Sequence, residues 1–314
     1  MEDEVTVPPK PPSLIRRIFI GSRGIRAGWS IGIFIVMLVV ISLVFVLPLR
    51  HILQLAHLPK NGVLPIPMGS MELALFLGVL AASIIMTRIE HKPVISYGLD
   101  GPNRLKNFLW GLLFGFIALS VLVGSMMIFG FVHFDGQQIF GWRIVKYAVA
   151  WGIVFLLVGL YEEYTLRGYL LATLSRGIGF WWSAVILSVA FGSVHLSNTG
   201  ESPVGIFSAG AIGLLFCVSL WYLKTLWWAI GFHAAWDWAQ SYFWGTADSG
   251  LVMKGHLLAG HPQGATLWSG GATGPEGSIL IVPLLIIIAV LMVIAWRNKM
   301  IVAAPPAADS GAKG

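Results

Sequence analysis

Ionisable side chains that interrupt long apolar stretches are the residues of this sequence best suited to do chemistry. Placing one such side chain in a bilayer costs about 3 kcal/mol on insertion scales, so each needs a partner and a reason to be there. The candidates form three short groups: Glu162, Glu163 and Arg167; then His195; then His233 and Asp237. Adjacent carboxylates together with two imidazoles and an aspartate are what the activation of water in a membrane pocket requires.

The helical spacing of the first group predicts different roles for its two carboxylates. Glu163 and Arg167 are four residues apart and share one helix face, whereas Glu162 points about 100° away from Glu163. We expect the guanidinium to orient one carboxylate while its neighbour faces a cavity and takes a proton from water. The alternative interpretation is a salt bridge that only stabilises the helix.

The two histidine groups add imidazoles to the same expectation. His233 and Asp237 are again four apart, so the carboxylate is placed to orient the imidazole or to contact a substrate beside it. Phe191 lies one turn before His195 and is placed to pack on its ring or to wall the pocket. A membrane histidine can also be a packing hydrogen bond alone, but three such groups in consecutive apolar segments favour a shared site.

A divalent metal is a further possibility. Glu162, His195 and His233 are residue types that bind zinc and would leave a fourth position open for water. The pattern His-Glu-x-x-His does not occur, and the ligands would come from three different helices. The same residues could activate water without metal, so zinc or another divalent ion stays an open alternative. Cys217 is the single cysteine, which excludes an intramolecular disulfide and a thiol pair as metal ligands.

Composition indicates the elements that must position these residues. The chain is 57% hydrophobic and 11% charged, with a mean hydropathy of +0.81, so lipid must cover most of its outside. We predict an all-α fold, a polytopic bundle of about eight transmembrane helices with a polar intramembrane cavity. The predicted spans are residues 29–49, 70–87, 108–132, 145–161, 180–197, 204–222, 226–244 and 278–296. Gly111 and Gly115 form a GxxxG spacing that predicts a close helix contact.

The distribution of basic residues predicts the orientation. Of the 20 Lys and Arg, fifteen fall on the side of the N-terminus and five on the other, which places both termini in the cytoplasm. The basic residues lie at segment ends, so nucleic acid is not an expected partner. The predicted parts are a basic tail 1–28, helices in 29–144, a catalytic core 145–244, a flexible outer loop 245–277, a last helix 278–297 and a disordered tail 298–314. His256 and His261 are interpreted as solvated loop residues.

These spans create a difficulty of depth. They place Glu162 near the cytoplasmic end of the fourth crossing and His195 near the opposite end of the fifth, yet the two must meet in one site. We therefore expect the fourth helix to bend or to continue past Glu163, with Tyr164 to Arg176 as an amphipathic continuation.

The three motifs resemble those of a known family. Glu-Glu-x-x-x-Arg at 162–167, Phe-x-x-x-His at 191–195 and His-x-x-x-Asp at 233–237 are similar in order and spacing to the CPBP intramembrane proteases, which include the type II CAAX prenyl endopeptidases. The resemblance covers about residues 145–244. It implies that Glu162 is the general base, supported by Glu163 and Arg167, with both histidines lining the site. Asp237 stands where the family accepts Asn or Asp. An ionised aspartate cannot donate a hydrogen bond to an oxyanion as an asparagine amide can, so the group that stabilises the oxyanion stays unassigned.

The function that we expect is an intramembrane endopeptidase, glutamate-type or metal-dependent, acting on a membrane-associated peptide or protein. A bacterial origin would place it in the plasma (inner) membrane and would argue against a prenylated substrate. Two other classes stay open: a non-catalytic membrane partner, such as a bacteriocin-immunity or scaffold protein, and a transporter or proton relay. No internal repeat supports a transporter. The oligomeric state is undetermined.

Overall fold

Helices make up most of the protein. The computed structural model describes residues 13, 18–21, 24–56, 62–198 and 200–301, so most of the predicted basic tail 1–28 and residues 302–314 of the predicted disordered tail lie outside the described residues. The helices are α1 (Ala27–Leu55), α2 (Pro65–Glu90), α3 (Arg104–Ile128), α4 (Trp142–Glu163), α5 (Leu171–Ile178), α6 (Phe180–Val194), α7 (Pro203–Leu223), α8 (Trp227–Trp238), α9 (Thr266–Ser269) and α10 (Ile281–Ile301). Two antiparallel ribbons complete the fold, β1 (Ile20–Gly21) with β2 (Gly24–Ile25), and β3 (Val132–Gln137) with β4 (Leu258–Pro262).

The predicted helical membrane bundle is confirmed. Within the described residues, seven helices are long and apolar enough to cross a membrane. The predicted span 226–244 is the one predicted span that is not among these seven helices. It consists of α8 followed by a π-helical turn, Ala239–Phe243, and α8 alone is too short to be counted. At 1.5 Å per residue, Trp227–Phe243 extends only about 25 Å. A buried helix does not need the full length of a lipid-facing one, because neighbouring helices cover its ends.

Helix α8 nevertheless traverses the bundle beside α3. At its start, Leu226 N donates to Gly98 O (2.8 Å) and Trp227 Nε1 donates to Leu99 O (3.0 Å), which ties α8 to the turn just before α3. After the two helices end, β3 pairs with β4, with Val132 opposite Pro262. The two helices therefore run in the same direction, and α8 adds one pass through the bundle to the seven long helices of the described residues.

The predicted GxxxG contact joins these two helices. A Cβ atom added to Gly111 would collide with the carbonyl oxygen of Trp228, and one added to Gly115 would collide with that of Phe232. Glycine lets the two helix backbones approach closely, as it does in other membrane helix pairs. This contact brings α8, which carries His233, against a lipid-facing helix.

The fourth helix continues past Glu163, as the depth of the site requires. A π-helical turn, Tyr164–Leu170, follows α4 directly and leads into α5, giving one helical stretch of 37 residues, Trp142–Ile178. The continuation is anchored at the C-terminal end of α2, where Glu90 accepts hydrogen bonds from Arg176 Nη2 (2.8 Å) and from the hydroxyls of Tyr97 and Tyr169 (3.1 Å each). Glu162 and Glu163 thus lie in the interior of this helix rather than at its end.

The segment 245–277, predicted as a flexible outer loop, contains β4, α9 and a 3₁₀ turn, Pro275–Gly277. Its backbone is held to the bundle: Val63 forms a bridge with Met253, and Trp151 Nε1 donates to Lys254 O (3.0 Å). These bonds order a stretch whose composition alone indicates a loop. His261 is exposed on β4, as predicted, and its Nε2 lies 2.9 Å from Asp135 Oδ2.

Candidate functional site

The site begins with a buried ion pair on the fourth helix. Arg167 Nη1 donates to Glu163 Oε1 at 3.0 Å, and both side chains are fully buried. The pair straddles the junction between α4 and the π-helical turn, and π-helical turns occur often at functional sites. Burial of both charges is tolerable only because they are paired and hydrogen-bonded.

Aromatic rings enclose the guanidinium. Arg167 Cζ lies 4.5 Å from the ring centre of Phe191 and 5.7 Å from that of Phe216, distances at which a cation interacts with the ring faces. A Cβ atom on Gly213 would collide with Arg167 Nη2, so this glycine makes room for the cation. Arg167 is thereby held in one position, with Glu163 as its carboxylate partner in the described part of the chain.

His233 completes a three-residue chain with this pair. Its Nδ1 lies 3.0 Å from the same oxygen, Glu163 Oε1. A carboxylate only accepts hydrogen bonds, so Nδ1 must carry the proton and donate it. This corrects the expectation that Asp237 orients the imidazole: Glu163, 70 residues away in sequence, does so.

The other nitrogen of His233 faces two more carboxyl groups. His233 Nε2 lies 3.5 Å from Asp237 Oδ2 and 3.7 Å from Glu162 Oε2. These distances are too long for good direct hydrogen bonds. Glu162 keeps 28% of its side chain exposed, whereas Glu163 is fully enclosed, so the two adjacent carboxylates have different environments.

His195 reaches the site from the end of α6. It begins a 3₁₀ turn, His195–Ser197, and its Nδ1 lies 2.8 Å from Phe191 O. The carbonyl accepts, so Nδ1 carries a proton and Nε2 is the nitrogen left for another partner. Phe191 packs edge-on against the ring, with centroids 4.9 Å apart. Phe191 therefore fills both predicted roles, because it also walls the cavity.

A cavity of about 300 Å³ unites these groups. Four of the predicted site residues line it, namely Glu162, His195, His233 and Asp237. Glu163 and Arg167 are not among its lining residues; they act on it through His233. The cavity also has three carboxyl residues that sequence reasoning missed, Glu72, Asp248 and Glu276.

Two of the additional carboxyl groups come from the segment 245–277. Glu276 accepts hydrogen bonds from Trp236 Nε1 (2.8 Å) and from the Ser249 hydroxyl (3.2 Å). Asp248 accepts one from the Ser241 hydroxyl at 2.7 Å. Burial, and after it the neighbouring Glu276, raises the pKa of Asp248 to about 8. Among the lining residues there is no lysine or arginine.

Of the three additional carboxyl residues, the sequence contains a signal for one and none for the other two. Glu72 lies within the predicted span 70–87, so the rule that marks ionisable residues in apolar segments as functional candidates applies to it. Asp248 and Glu276 lie in a polar stretch, where a carboxylate is ordinary. Nothing in their local sequence indicates that the chain folds back over the site.

The three predicted metal ligands, Glu162, His195 and His233, line one cavity. Across the described parts of the chain, no group of three His, Cys, Asp or Glu side chains is arranged to hold a metal ion. Both histidines direct Nδ1 to a protein acceptor and leave Nε2 as the nitrogen available to a ligand, as metal-binding histidines often do. Metal dependence stays a prediction for experiment.

The arrangement has the parts of a water-activating site. A partly exposed carboxylate, Glu162, faces an imidazole that is held by a second, buried carboxylate. A second imidazole, His195, lines the same cavity. Such a set can remove a proton from water, stabilise developing negative charge and return the proton to a leaving group.

Comparison with known proteins identifies this part of the chain. Residues 144–239 match the family described as type II CAAX prenyl endopeptidase Rce1-like. No curated protein matches the chain. The match contains all six predicted site residues and agrees with the resemblance to the CPBP group. The apolar helices and this match support an integral, multi-pass membrane protein with a protease-type activity. Residues 144–239, the segment that carries the site, are therefore similar to the Rce1-like family of type II CAAX prenyl endopeptidases.

Proposed function

We propose that this protein is an intramembrane endopeptidase that hydrolyses a peptide bond of a membrane-associated peptide or protein. The observation that carries the proposal is the double use of Glu163 Oε1, which lies 3.0 Å from Arg167 Nη1 and 3.0 Å from His233 Nδ1. It fixes His233 so that Nε2 faces Glu162 in the cavity.

The proposed reaction starts with a water molecule beside Glu162 and His195 Nε2. Glu162 takes a proton from the water as the oxygen attacks the carbonyl carbon of the peptide bond, and the carbonyl oxygen becomes an oxyanion. Glu162 then returns the proton to the leaving amine as the C–N bond breaks. The carboxylate that started the step is thereby restored.

We assign the stabilisation of the oxyanion to His233. Glu163 accepts from Nδ1, and Glu162 and Asp237 lie near Nε2, so three carboxyl groups favour a doubly protonated imidazole. Its Nε2–H then donates to the oxyanion. This assignment leaves Asp237 as a carboxylate near the charge of the imidazolium and does not require an amide at that position.

The test is cleavage of a panel of internally quenched peptides, lipidated and unlipidated, by purified protein with and without a chelator. Removal of a general base typically lowers the rate by about 10²- to 10⁴-fold, and we expect losses of this size for Glu162→Gln and His233→Ala. His261→Ala is the matched control, because this exposed histidine lies on β4, outside the cavity.

Each outcome has one interpretation. Retained cleavage in folded Glu162→Gln or His233→Ala would refute the assigned mechanism. A wild-type protein that cleaves no peptide would favour a non-catalytic membrane partner. Loss of activity with chelator, restored by zinc, would show that a divalent metal takes part and that the metal-free steps above are incomplete.

A further inference from the structure

A groove opens on the lipid-facing side of the bundle, between α3 and α4. Both helices pack closely on α8 but make at most marginal contact with each other. Helix α8 therefore forms the floor of a space of about 600 Å³ between them. Three small residues leave this space open, Gly152 on α4 and Ala234 and Ala235 on α8.

The space between α3 and α4 is the apolar part of the groove, and the other side chains that line it are almost entirely hydrocarbon. Its remaining lining residues are Phe108, Leu109, Leu112, Leu113, Phe116, Leu156 and Trp238. The indole nitrogen of Trp238 is bonded to Ala148 O (2.9 Å), so its ring presents an apolar surface. A Cβ atom on Gly152 would make only ordinary contact with that ring, at 3.8 Å, so space remains above it.

At the N-terminal end of α3 the groove becomes basic. A second, more open space shares Leu109 and Leu113 with the apolar part and adds Arg104, Lys106 and Trp110. Arg104 and Lys106 are exposed, and neither has an ion-pair partner within the described residues. The groove thus has a cationic head end and an apolar tail end.

The length and location of the groove match a single lipid leaflet. From Lys106 to Phe116 the helix rises about 15 Å, which is half of a hydrocarbon core of about 30 Å. The charge distribution predicts that the basic end lies at the cytoplasmic leaflet, where anionic phospholipids concentrate. Basic pockets between transmembrane helices on that side are typical sites for anionic headgroups.

We propose that this groove binds one anionic glycerophospholipid of the cytoplasmic leaflet. Its phosphate lies at the end of α3 that carries Arg104 and Lys106, and an acyl chain runs along α3 to the floor formed by Ala234 and Ala235. The site is separate from the catalytic cavity, with which it shares no lining residue. It is adjacent in sequence, however, because His233 directly precedes the floor residues. The bound lipid therefore packs against α8, the helix that carries His233.

Binding can be measured on delipidated protein in a neutral detergent. Phosphatidylglycerol and phosphatidylcholine with the same acyl chains are added, and thermal unfolding and lipid retention in native mass spectrometry are recorded. A ligand that binds only the folded state raises the unfolding temperature, so phosphatidylglycerol should raise it by several degrees more than phosphatidylcholine. Glycerol 3-phosphate, which has the headgroup phosphate without acyl chains, should have little effect.

Two variants separate the head from the tail. Arg104→Gln with Lys106→Gln should lower the affinity for phosphatidylglycerol roughly tenfold to thirtyfold and leave that for phosphatidylcholine unchanged. Gly152→Leu should fill the tail end and reduce retention of both lipids. Arg88→Gln is the control, because Arg88 is an exposed basic residue in the last turn of α2, outside the groove.

Three results would overturn the proposal. They are equal shifts with the two phospholipids, an unchanged preference in the double glutamine variant, and a full shift with glycerol 3-phosphate alone. If Gly152→Leu unfolds, Gly152→Ala takes its place as the milder change, and the charge variants still decide. Cleavage activity is not needed for any of these measurements, so they stand apart from the test of the proposed function.

Discussion

One carboxylate oxygen determines the geometry of the site. Glu163 Oε1 receives both Arg167 and His233, whereas Glu163 Oε2, Arg167 Nε and Arg167 Nη2 have no hydrogen-bond partner in the described structure. One oxygen therefore receives both donors and holds the imidazole of His233 in a defined tautomer.

The ion pair leads to a prediction about stability. Arg167→Met keeps the volume and apolar contacts but leaves the buried Glu163 carboxylate uncompensated, which we expect to destabilise the protein by about 3–5 kcal/mol. Thermal unfolding in detergent measures the effect, with Arg88→Met as an exposed control. Adding Glu163→Gln to Arg167→Met should recover part of the loss. An Arg167→Met protein as stable as wild type would show that Arg167 does not compensate the buried charge of Glu163.

The charges of the cavity lead to a second prediction at this scale. Five carboxyl residues line it, with no lysine or arginine among the lining residues: Glu72, Glu162, Asp237, Asp248 and Glu276. A substrate carboxylate would meet no lysine or arginine there, and those of the five carboxyl groups that are ionised carry its own sign of charge. We expect a peptide amidated at its C-terminus to be cleaved at least about tenfold better than the same peptide with a free carboxylate near the scissile bond.

Variants of the outer segment test this explanation. Above pH 8, where Asp248 with its pKa of about 8 is ionised, Asp248→Asn with Glu276→Gln should narrow the ratio of kcat/KM between the amidated and the free peptide. Asp135→Asn is the control, because this exposed residue lies on β3, outside the cavity. If the free and the amidated peptide are cleaved equally well by wild type, the acidic lining does not select substrates.

At the scale of elements, the contact between α3 and α8 positions His233. Gly115 faces the carbonyl oxygen of Phe232, the residue directly before His233. Any side chain at this position must push α8 away from α3. The π-helical turns have a comparable role, because Tyr164–Leu170 follows Glu163 directly and Ala239–Phe243 follows closely after Asp237.

Valine at Gly115 tests this contact. We expect Gly115→Val to destabilise the protein by about 1–3 kcal/mol, as overpacking typically does, and to lower peptide cleavage more than the loss of folded protein explains. Gly124→Val on the same helix is the matched control, because a Cβ atom there would meet nothing within 4 Å. Equal effects of the two valines on unfolding temperature and activity would contradict the assigned role of the α3–α8 contact.

At the scale of the molecule, the site lies toward one end of the bundle. The pairing of β3 with β4 places the segment 245–277 at the end where α3 and α8 finish, and this segment contributes Asp248, Ser249 and Glu276 to the cavity. The charge distribution predicts that this end is extracytoplasmic. A substrate would then reach the cavity from the side opposite the termini.

Cysteine labelling tests the orientation. In a Cys217→Ala background, Leu267→Cys in the outer segment and Leu105→Cys at the start of α3 provide exposed thiols at opposite ends. A membrane-impermeant maleimide applied to intact cells should label the first and not the second, and permeabilised cells should label both. Labelling of Leu105→Cys alone in intact cells would reverse the predicted orientation.

The amino-acid sequence by itself determined the membrane class, the helical bundle and the three motifs that the family match contains. These depend on local properties: the cost of polar groups in lipid, the length that spans a bilayer and the four-residue spacing of a helix face. The continuation of the fourth helix past Glu163 also followed from the sequence, because one site must lie at one depth.

Only the tertiary structure decided which partners the site residues have. In the structure His233 Nδ1 bonds to Glu163 rather than to Asp237, and Asp248 and Glu276 line the cavity. Helix spacing relates residues three or four positions apart, whereas Glu163 and His233 are 70 positions apart. Their proximity depends on how α4, α7 and α8 pack around Arg167, which is a property of the whole bundle and not of any one segment.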